Sequence, residues 1–236
     1  FMKKIIGLVP AANNLFVTDL VYEDKYYFIN NYIERINESG AIVSGVLGCN
    51  GYLYDVNDLD IYDGFIMAGG GKIHPYHLQV VEYAVKRNKP LLGICMGMQT
   101  VAVYFLLEEE KKKRNYNGSI TELFEILKKE KYMFTEPVQG HRNAELNRDN
   151  LEEIKHEVII DKDSILYDIY KTDKLNMPSI HRYRLPNVVD KLKVKGRAED
   201  GTIEVIEYND KIFGVQFHPE NESINNKLFK YIINKC

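Results

Sequence analysis

Short apolar runs and helical stretches alternate through the first half of the chain. Lys3–Pro10, Ala41–Leu47, Gly64–Met67 and Pro90–Ile94 are apolar runs of strand length. Val21–Ser39 carries helical periodicity and runs into Gly40, a C-terminal cap. Tyr76–Asn88 reads as a second helix, with Pro75 in its first turn, and Met96–Leu107 as a third. This alternation predicts an α/β fold: a mostly parallel sheet with helices on both faces. From about residue 156 the pattern changes. His156–Ile160, Leu192–Ala198, Ile203–Tyr208 and Lys211–Phe217 are short strands with tight turns at Asp200-Gly201 and Asn209-Asp210, so a smaller antiparallel portion follows. Ile224–Asn234 is a closing helix.

The segment Asn115–Asn150 fits this scheme least. Ile120–Lys131 has helical character, whereas Thr135–Asn150 is polar and contains His141-Arg142-Asn143. It is either a lid over a site or an ordinary surface excursion. Just before it, Glu108–Arg114 holds three acids and then four bases, which reads as a solvated helix end or loop.

Charge and composition narrow the function. With 236 residues and a net charge of −3, the chain has room for a sizeable core, and its charge balance points to no nucleic-acid or membrane surface. No apolar run approaches the roughly 20 residues of a membrane span. The segment Lys3–Pro10 is too short for a signal peptide. Phe1 before Met2 is expected to be an addition, so residues 2–236 are read as a single domain. Cys49, Cys95 and Cys236 are odd in number and far apart, which favours a reducing, cytoplasmic compartment; no two have zinc-ligand spacing.

One of these cysteines carries candidate chemistry. Residues 91–99, Leu-Leu-Gly-Ile-Cys-Met-Gly-Met-Gln, set Cys95 between Gly93 and Gly97 at the junction of strand and helix. This is the Gly-x-nucleophile-x-Gly elbow. A sharp strand-to-helix turn strains its central residue and crowds the positions two before and two after, so both are glycine. The following helix N-terminus favours a thiolate. A buried structural cysteine is the alternative, but it needs no flanking glycines. Far downstream, Phe213-Gly214-Val215-Gln216-Phe217 leads into His218-Pro219-Glu220. Alternation along a strand puts His218 and Glu220 on one side, and a base oriented by a carboxylate can activate a nucleophile.

Together, Gly93–Gln99 and Gln216–Glu220 resemble the class I glutamine amidotransferase superfamily. Residues 62–71, ending in Gly69-Gly70-Gly71, resemble the strand and glycine turn that supply part of that family's oxyanion hole. Ser179-Ile180-His181, followed by Gly201–Glu207, is most similar to the stand-alone γ-glutamyl-γ-aminobutyrate hydrolase branch, peptidase C26. The resemblance implies a three-layer flavodoxin-like sheet and a Cys-His-Glu triad of Cys95, His218 and Glu220. It implies an oxyanion hole from the Gly70 and Met96 N–H groups, substrate contacts from Gln99, Ser179 and His181, and neither metal nor organic cofactor. Gln99 could equally pack beneath the elbow. If the polar segment is a lid, His141 and Arg142 offer a carboxylate contact.

Three positions depart from the branch pattern. Lys72 stands where relatives often carry Asp, Met96 where they carry Arg, and Tyr183 where they carry Gln. They lie near the expected substrate end, so the amine half of the substrate stays open while the cysteine chemistry is intact. The implied reaction is hydrolysis of glutamine or a γ-glutamyl amine through a γ-glutamyl thioester. The alternatives are a glutaminase subunit feeding ammonia to a synthase partner, and a non-catalytic binding protein on the same fold. The expected partner is a small γ-glutamyl molecule, with a homodimer left open.

Overall fold

The computed structural model describes residues 2–14, 24–142, 151–222 and 226–236. Nine strands form one sheet: β1 (Ile5–Val9), β2 (Ile42–Gly45), β3 (Gly64–Met67), β4 (Leu91–Ile94), β5 (Lys155–Ile160), β6 (Lys174–Pro178), β7 (Lys193–Ala198), β8 (Ile203–Glu207) and β9 (Ile212–Val215). Their order is β2-β1-β3-β4-β9-β8-β7-β5-β6. From β2 to β9 each neighbour is parallel; from β9 to β6 each is antiparallel. The two regimes meet at β9, which pairs in parallel with β4 and antiparallel with β8.

Alternation along the strands sorts side chains into two cores. On one face Phe65 and Met67 of β3 pack with α2 (Pro75–Arg87), α3 (Met96–Lys113) and α4 (Ile120–Lys129). On the other, Ile66 of β3 packs with α1 (Asn30–Glu38), α5 (Ile165–Tyr170) and α6 (Lys227–Asn234). The result is the three-layer flavodoxin-like arrangement, with an apolar layer on each side of the sheet. Fully buried residues such as Phe105 and Phe229 anchor the two layers, each side chain removing about 2–3 kcal/mol worth of apolar surface from water.

Where strands and helices differ from the expected bounds, local chemistry explains the difference. Residues Asp24–Tyr27 form a strand paired with Ala11–Asn14, so only Asn30–Glu38 of the expected Val21–Ser39 helix is helical; residues 21–23 lie outside the described residues. Gly40 stands just past that helix with φ +90°, as a cap requires. The third helix continues beyond Leu107 to Lys113, because Glu109 and Glu110 pair with Lys113 and Arg114 and the basic residues sit at the negative end of the helix dipole. Helix α4 begins with Ser119 and Glu122 capping each other's backbone N–H groups. The short helix α5 and strand β6 carry no signal that the sequence patterns single out.

Candidate functional site

Three turns meet at the carboxyl ends of the parallel strands: Gly69–Gly71 after β3, Cys95 after β4, and His218 after β9. Open parallel sheets collect their ligands at this edge. Cys95 has φ +54° and ψ −109°, a conformation in which non-glycine residues are strained. The flanking glycines have steric causes of two kinds. A Cβ on Gly93 would lie 2.5 Å from the backbone carbonyl of Gly97, whereas a Cβ on Gly97 would overlap the Met67 carbonyl oxygen of β3. The first glycine lets the chain fold back on itself; the second lets α3 approach the neighbouring strand.

His218 and Glu220 are 6% and 4% exposed. His218 Nδ1 bonds Glu220 Oε1 at 2.6 Å, and among the described residues no atom meets hydrogen-bond geometry at Nε2. Burial works against a charged imidazole, but Glu220 and then Cys95 outweigh it, so His218 is held well above the ordinary histidine value. A Cβ on Gly69 would lie 2.9 Å from His218 Cε1 and 3.3 Å from Cys95 Cβ, so the glycine turn sits against both. Tyr32, fully buried on α1, accepts the Gly69 N–H at 3.0 Å and pins that turn. Burial and the Glu220 charge raise its phenol well above the usual value, so it stays neutral. Neither the sequence patterns nor the resemblance singles out Tyr32. Glu222, the nearest other carboxylate downstream, is paired with Lys155 at 2.7 Å.

A cavity of about 590 Å³ opens above Cys95. Gly70, Met96, Gln99 and His181 line it; Ser179 does not. Met96 opens α3, so its N–H is among those a helix leaves without an intrahelical acceptor. Gln99, at the cavity wall, donates its amide hydrogens to the Tyr183 carbonyl and to Gln216 Oε1, each at 3.0 Å. Ser179 is buried and its hydroxyl donates to the His141 carbonyl at 3.0 Å. The segment after α3 walls the cavity: Phe124 and Lys128 of α4, then Phe134, Thr135 and Arg142. Residues 143–150, with Asn143, lie outside the described residues. Lys72, Lys128, Arg142 and Arg182 give the wall its charge, and no Asp or Glu is among the described lining residues.

This geometry can be set beside known proteins. The peptidase C26 family model matches residues 76–220. The chain belongs to the peptidase C26 family. With it comes membership of the class I glutamine amidotransferase-like superfamily. The C26 chain is 30% identical to the CTP synthase of Sulfolobus acidocaldarius over 181 residues, covering 72% of this chain and 32% of that protein. It is 27% identical to the CTP synthase of Borreliella burgdorferi over 264 residues, covering 100% of this chain and 48% of that protein. The chain thus spans less than half the length of these curated relatives. Among solved structures, a Thermoplasma acidophilum protein assigned as a GMP synthase subunit superposes with TM-score 0.65 at 16% identity, covering 99% and 94% of the two chains. The glutaminase domain of Trypanosoma brucei CTPS with bound acivicin gives 0.60 at 17% identity, covering 98% and 91%. At these identities the structural likeness concerns the fold.

Beside the cavity the C26 chain holds a buried cluster that sequence spacing does not reveal. Glu204 of β8 is wholly buried and faces three imidazoles. His181 Nε2 lies 3.3 Å and His141 Nδ1 3.6 Å from Glu204 Oε1, and His156 Nε2 lies 3.5 Å from Oε2. Burial disfavours the Glu204 carboxylate, but His156 and His181 outweigh it and hold it below the usual range. His141 is lowered, by burial first and then by His181. His181 also bonds the Tyr183 carbonyl through Nδ1 at 3.1 Å, the carbonyl that Gln99 uses. Among the described residues, no helix is long and apolar enough to cross a membrane.

Proposed function

We propose that the chain hydrolyses the side-chain amide of glutamine or of a γ-glutamyl amine. The observation that carries the reading is a cysteine held at positive φ on the strand–helix elbow, beside a histidine whose other nitrogen is bound 2.6 Å from a buried carboxylate, at the floor of an open cavity. The Cys95 thiol proton passes to His218 Nε2, and the sulfur attacks the γ-carbonyl carbon. The oxyanion forms against the N–H groups of Gly70 and Met96, where one such donor stabilises the transition state by about 3 kcal/mol. The C–N bond breaks as His218 protonates the departing amine or ammonia. Water, deprotonated by His218, then hydrolyses the thioester, and Glu220 stabilises the imidazolium throughout. Ammonia and glutamate release from glutamine and a panel of γ-glutamyl amides tests the reading; no release by wild type, or release that survives Cys95→Ser, overturns it.

The cationic wall supports a choice of amine half. Lys72 stands where relatives often carry an anion, so γ-glutamyl amides whose amine portion bears a carboxylate or phosphate are the favoured substrates. Lys72 is exposed at the cavity wall, so Lys72→Asp is expected to lower kcat/KM for anionic against cationic amides by about two- to fivefold, the worth of a solvent-screened ion pair. An unchanged ratio removes Lys72 from substrate choice and leaves the Cys95 chemistry standing.

A second reading is favoured by one finding: the chain spans 32% and 48% of the two CTP synthases and is similar in fold to a solved glutaminase domain. Here the same chemistry delivers ammonia to a separate synthase. Glutaminase turnover that rises when a synthase partner is added supports it; full turnover by the isolated chain supports the stand-alone hydrolase.

A further inference from the structure

We infer that His141, His156 and Glu204 form a binding site for a divalent, zinc-like cation beside the cavity. The ligand atoms these residues offer lie within 4.8 Å of one another. Donor accounting makes the case. His141 Nε2 faces Asp200 Oδ2 at 3.2 Å, a carboxylate that can only accept, so the ring proton sits on Nε2. That leaves the Nδ1 lone pair 3.6 Å from Glu204 Oε1 and 3.5 Å from Ser179 Oγ, whose hydroxyl makes its shorter bond, 3.0 Å, to the His141 carbonyl. Opposite, His156 Nε2 and Glu204 Oε2 are both buried and, among the described residues, have no well-formed hydrogen-bond partner, and at 3.5 Å they stand too far apart to satisfy each other well. Orphaned buried polar atoms are costly. A cation between them accepts the free lone pairs and neutralises the carboxylate together.

The dimensions fit. In a tetrahedral site with ligands at about 2.0–2.1 Å, ligand atoms stand about 3.3–3.4 Å apart. The nitrogen-to-oxygen separations of 3.5 and 3.6 Å, one to each Glu204 oxygen, exceed that by little, and one atom per residue spans no more than 4.8 Å, so an ion would draw the side chains in by about 1 Å. Two imidazoles and a carboxylate are a borderline donor set that suits zinc. Supporting contacts are also in place. Asp200 orients His141 through its far nitrogen, and His181 approaches the Glu204 oxygen at 3.3 Å. Thr202 fixes Asp200 in turn, with its N–H and its hydroxyl each at 2.9 Å.

The three ligands come from different parts of the fold: His156 from β5, Glu204 from β8, and His141 from the segment that walls the cavity. The ion would clip that segment to the antiparallel half of the sheet and hold Arg142, the next residue, at the cavity wall. The inference is independent of the proposed hydrolase activity.

Chelator-treated protein titrated with Zn2+ by calorimetry, and with Co2+ by visible absorption, tests it. One equivalent of Zn2+ is expected to bind, Co2+ to show the intense ligand-field bands of a four- or five-coordinate site, and Zn2+ to slow tryptic cleavage after Arg142. His156→Ala, with His141→Ala made in parallel and both checked by circular dichroism, should weaken Zn2+ binding at least about 100-fold. The inference is overturned if wild type binds no Zn2+ at one equivalent, or if a folded variant binds as tightly as wild type. A sulfur-to-cobalt charge-transfer band also overturns it, since it puts the ion on a cysteine. The wild-type Co2+ spectrum and stoichiometry decide the matter should neither variant fold.

Discussion

Gly97→Ala sets helix propensity against packing with opposite signs. Alanine is preferred to glycine in a helix by about 1 kcal/mol, so residue 97, in the first turn of α3, looks improvable. The structure gives the reverse. The new Cβ would overlap the Met67 carbonyl oxygen and stand 3.0 Å from the carbonyl carbon and 3.1 Å from Met67 Cβ. Met67 is fully buried and its strand is paired on both sides, so the overlap is relieved only by lifting α3 off the sheet. Overpacking against immovable backbone costs about 3 kcal/mol, the upper end of the usual range. The net loss is then about 2 kcal/mol, which for a chain of this size lowers Tm by about 4–8 °C. Gly71→Ala is the control: nothing lies within 4 Å of its added Cβ, and stability should stay within about 0.5 kcal/mol. Scanning calorimetry of both variants beside wild type measures the difference. A Gly97→Ala protein as stable as wild type, or more so, refutes the steric account of the elbow.

Other outcomes follow from the site and its surroundings. A glutamine-like electrophile should label Cys95 and spare Cys236, whose thiol burial pushes up to about 11, with peptide mass mapping as the check; an adduct mainly on Cys49 or Cys236 sinks the nucleophile assignment. His218→Asn should lose about 10²–10⁴-fold in kcat with the fold retained, and Glu220→Gln should lose less. If Glu220→Gln turns over at the wild-type rate, the carboxylate does not serve the histidine. His77 tests pH dependence: it is fully buried, its Nε2 donates to the Pro10 carbonyl at 2.9 Å and its Nδ1 accepts the His74 N–H at 3.0 Å, so only the neutral ring fits. Burial pushes it down to about 3, so between about 6.5 and 3 the unfolded chain binds the proton first and stability falls with pH. Urea unfolding at about pH 7.5 and about pH 5 should show a smaller acid loss for His77→Gln than for wild type; equal losses refute it.

How much of this was legible depended on how local each signal was. Gly93, Cys95 and Gly97 announce the elbow because the three residues fall within five consecutive positions, although Gly97 answers to Met67 on the neighbouring strand. The strand Gly64–Met67 has the same bounds in sequence and structure because an all-buried strand is an unbroken apolar run. The Asp24–Tyr27 strand was hidden: its tyrosines fit a helical face as well as a hairpin, and only pairing with Ala11–Asn14 decides. Ser179 shows a different limit. Its resemblance implies a substrate contact, but the side chain turns away from the cavity to the His141 carbonyl. The imidazole–carboxylate cluster was not legible from spacing, since residues 141, 156 and 204 meet only through tertiary packing. One trace existed: Glu204 lies two positions before Ile206, so strand alternation assigns a carboxylate to a core-facing row, where a bare charge does not stay unpaired.

The seam strand β9 has a consequence for how the molecule comes into being. Its partners, Leu91–Ile94 and Ile203–Glu207, both precede it along the chain; the second is its neighbour in a tight hairpin, and the first is the distant strand on which that hairpin docks. Until that hairpin docks, Leu91–Ile94 presents an open row of backbone donors and acceptors, the kind of edge on which chains stack. Cys95 can emerge from the ribosome and reach its elbow well before His218 exists to meet it. Cys95 and His218 therefore come together only in the step that closes the sheet, so under the proposed chemistry the thiol lacks its base until then. Pairing across the long separation from Leu91–Ile94 is slow, so it sets how long that edge stays open to other chains.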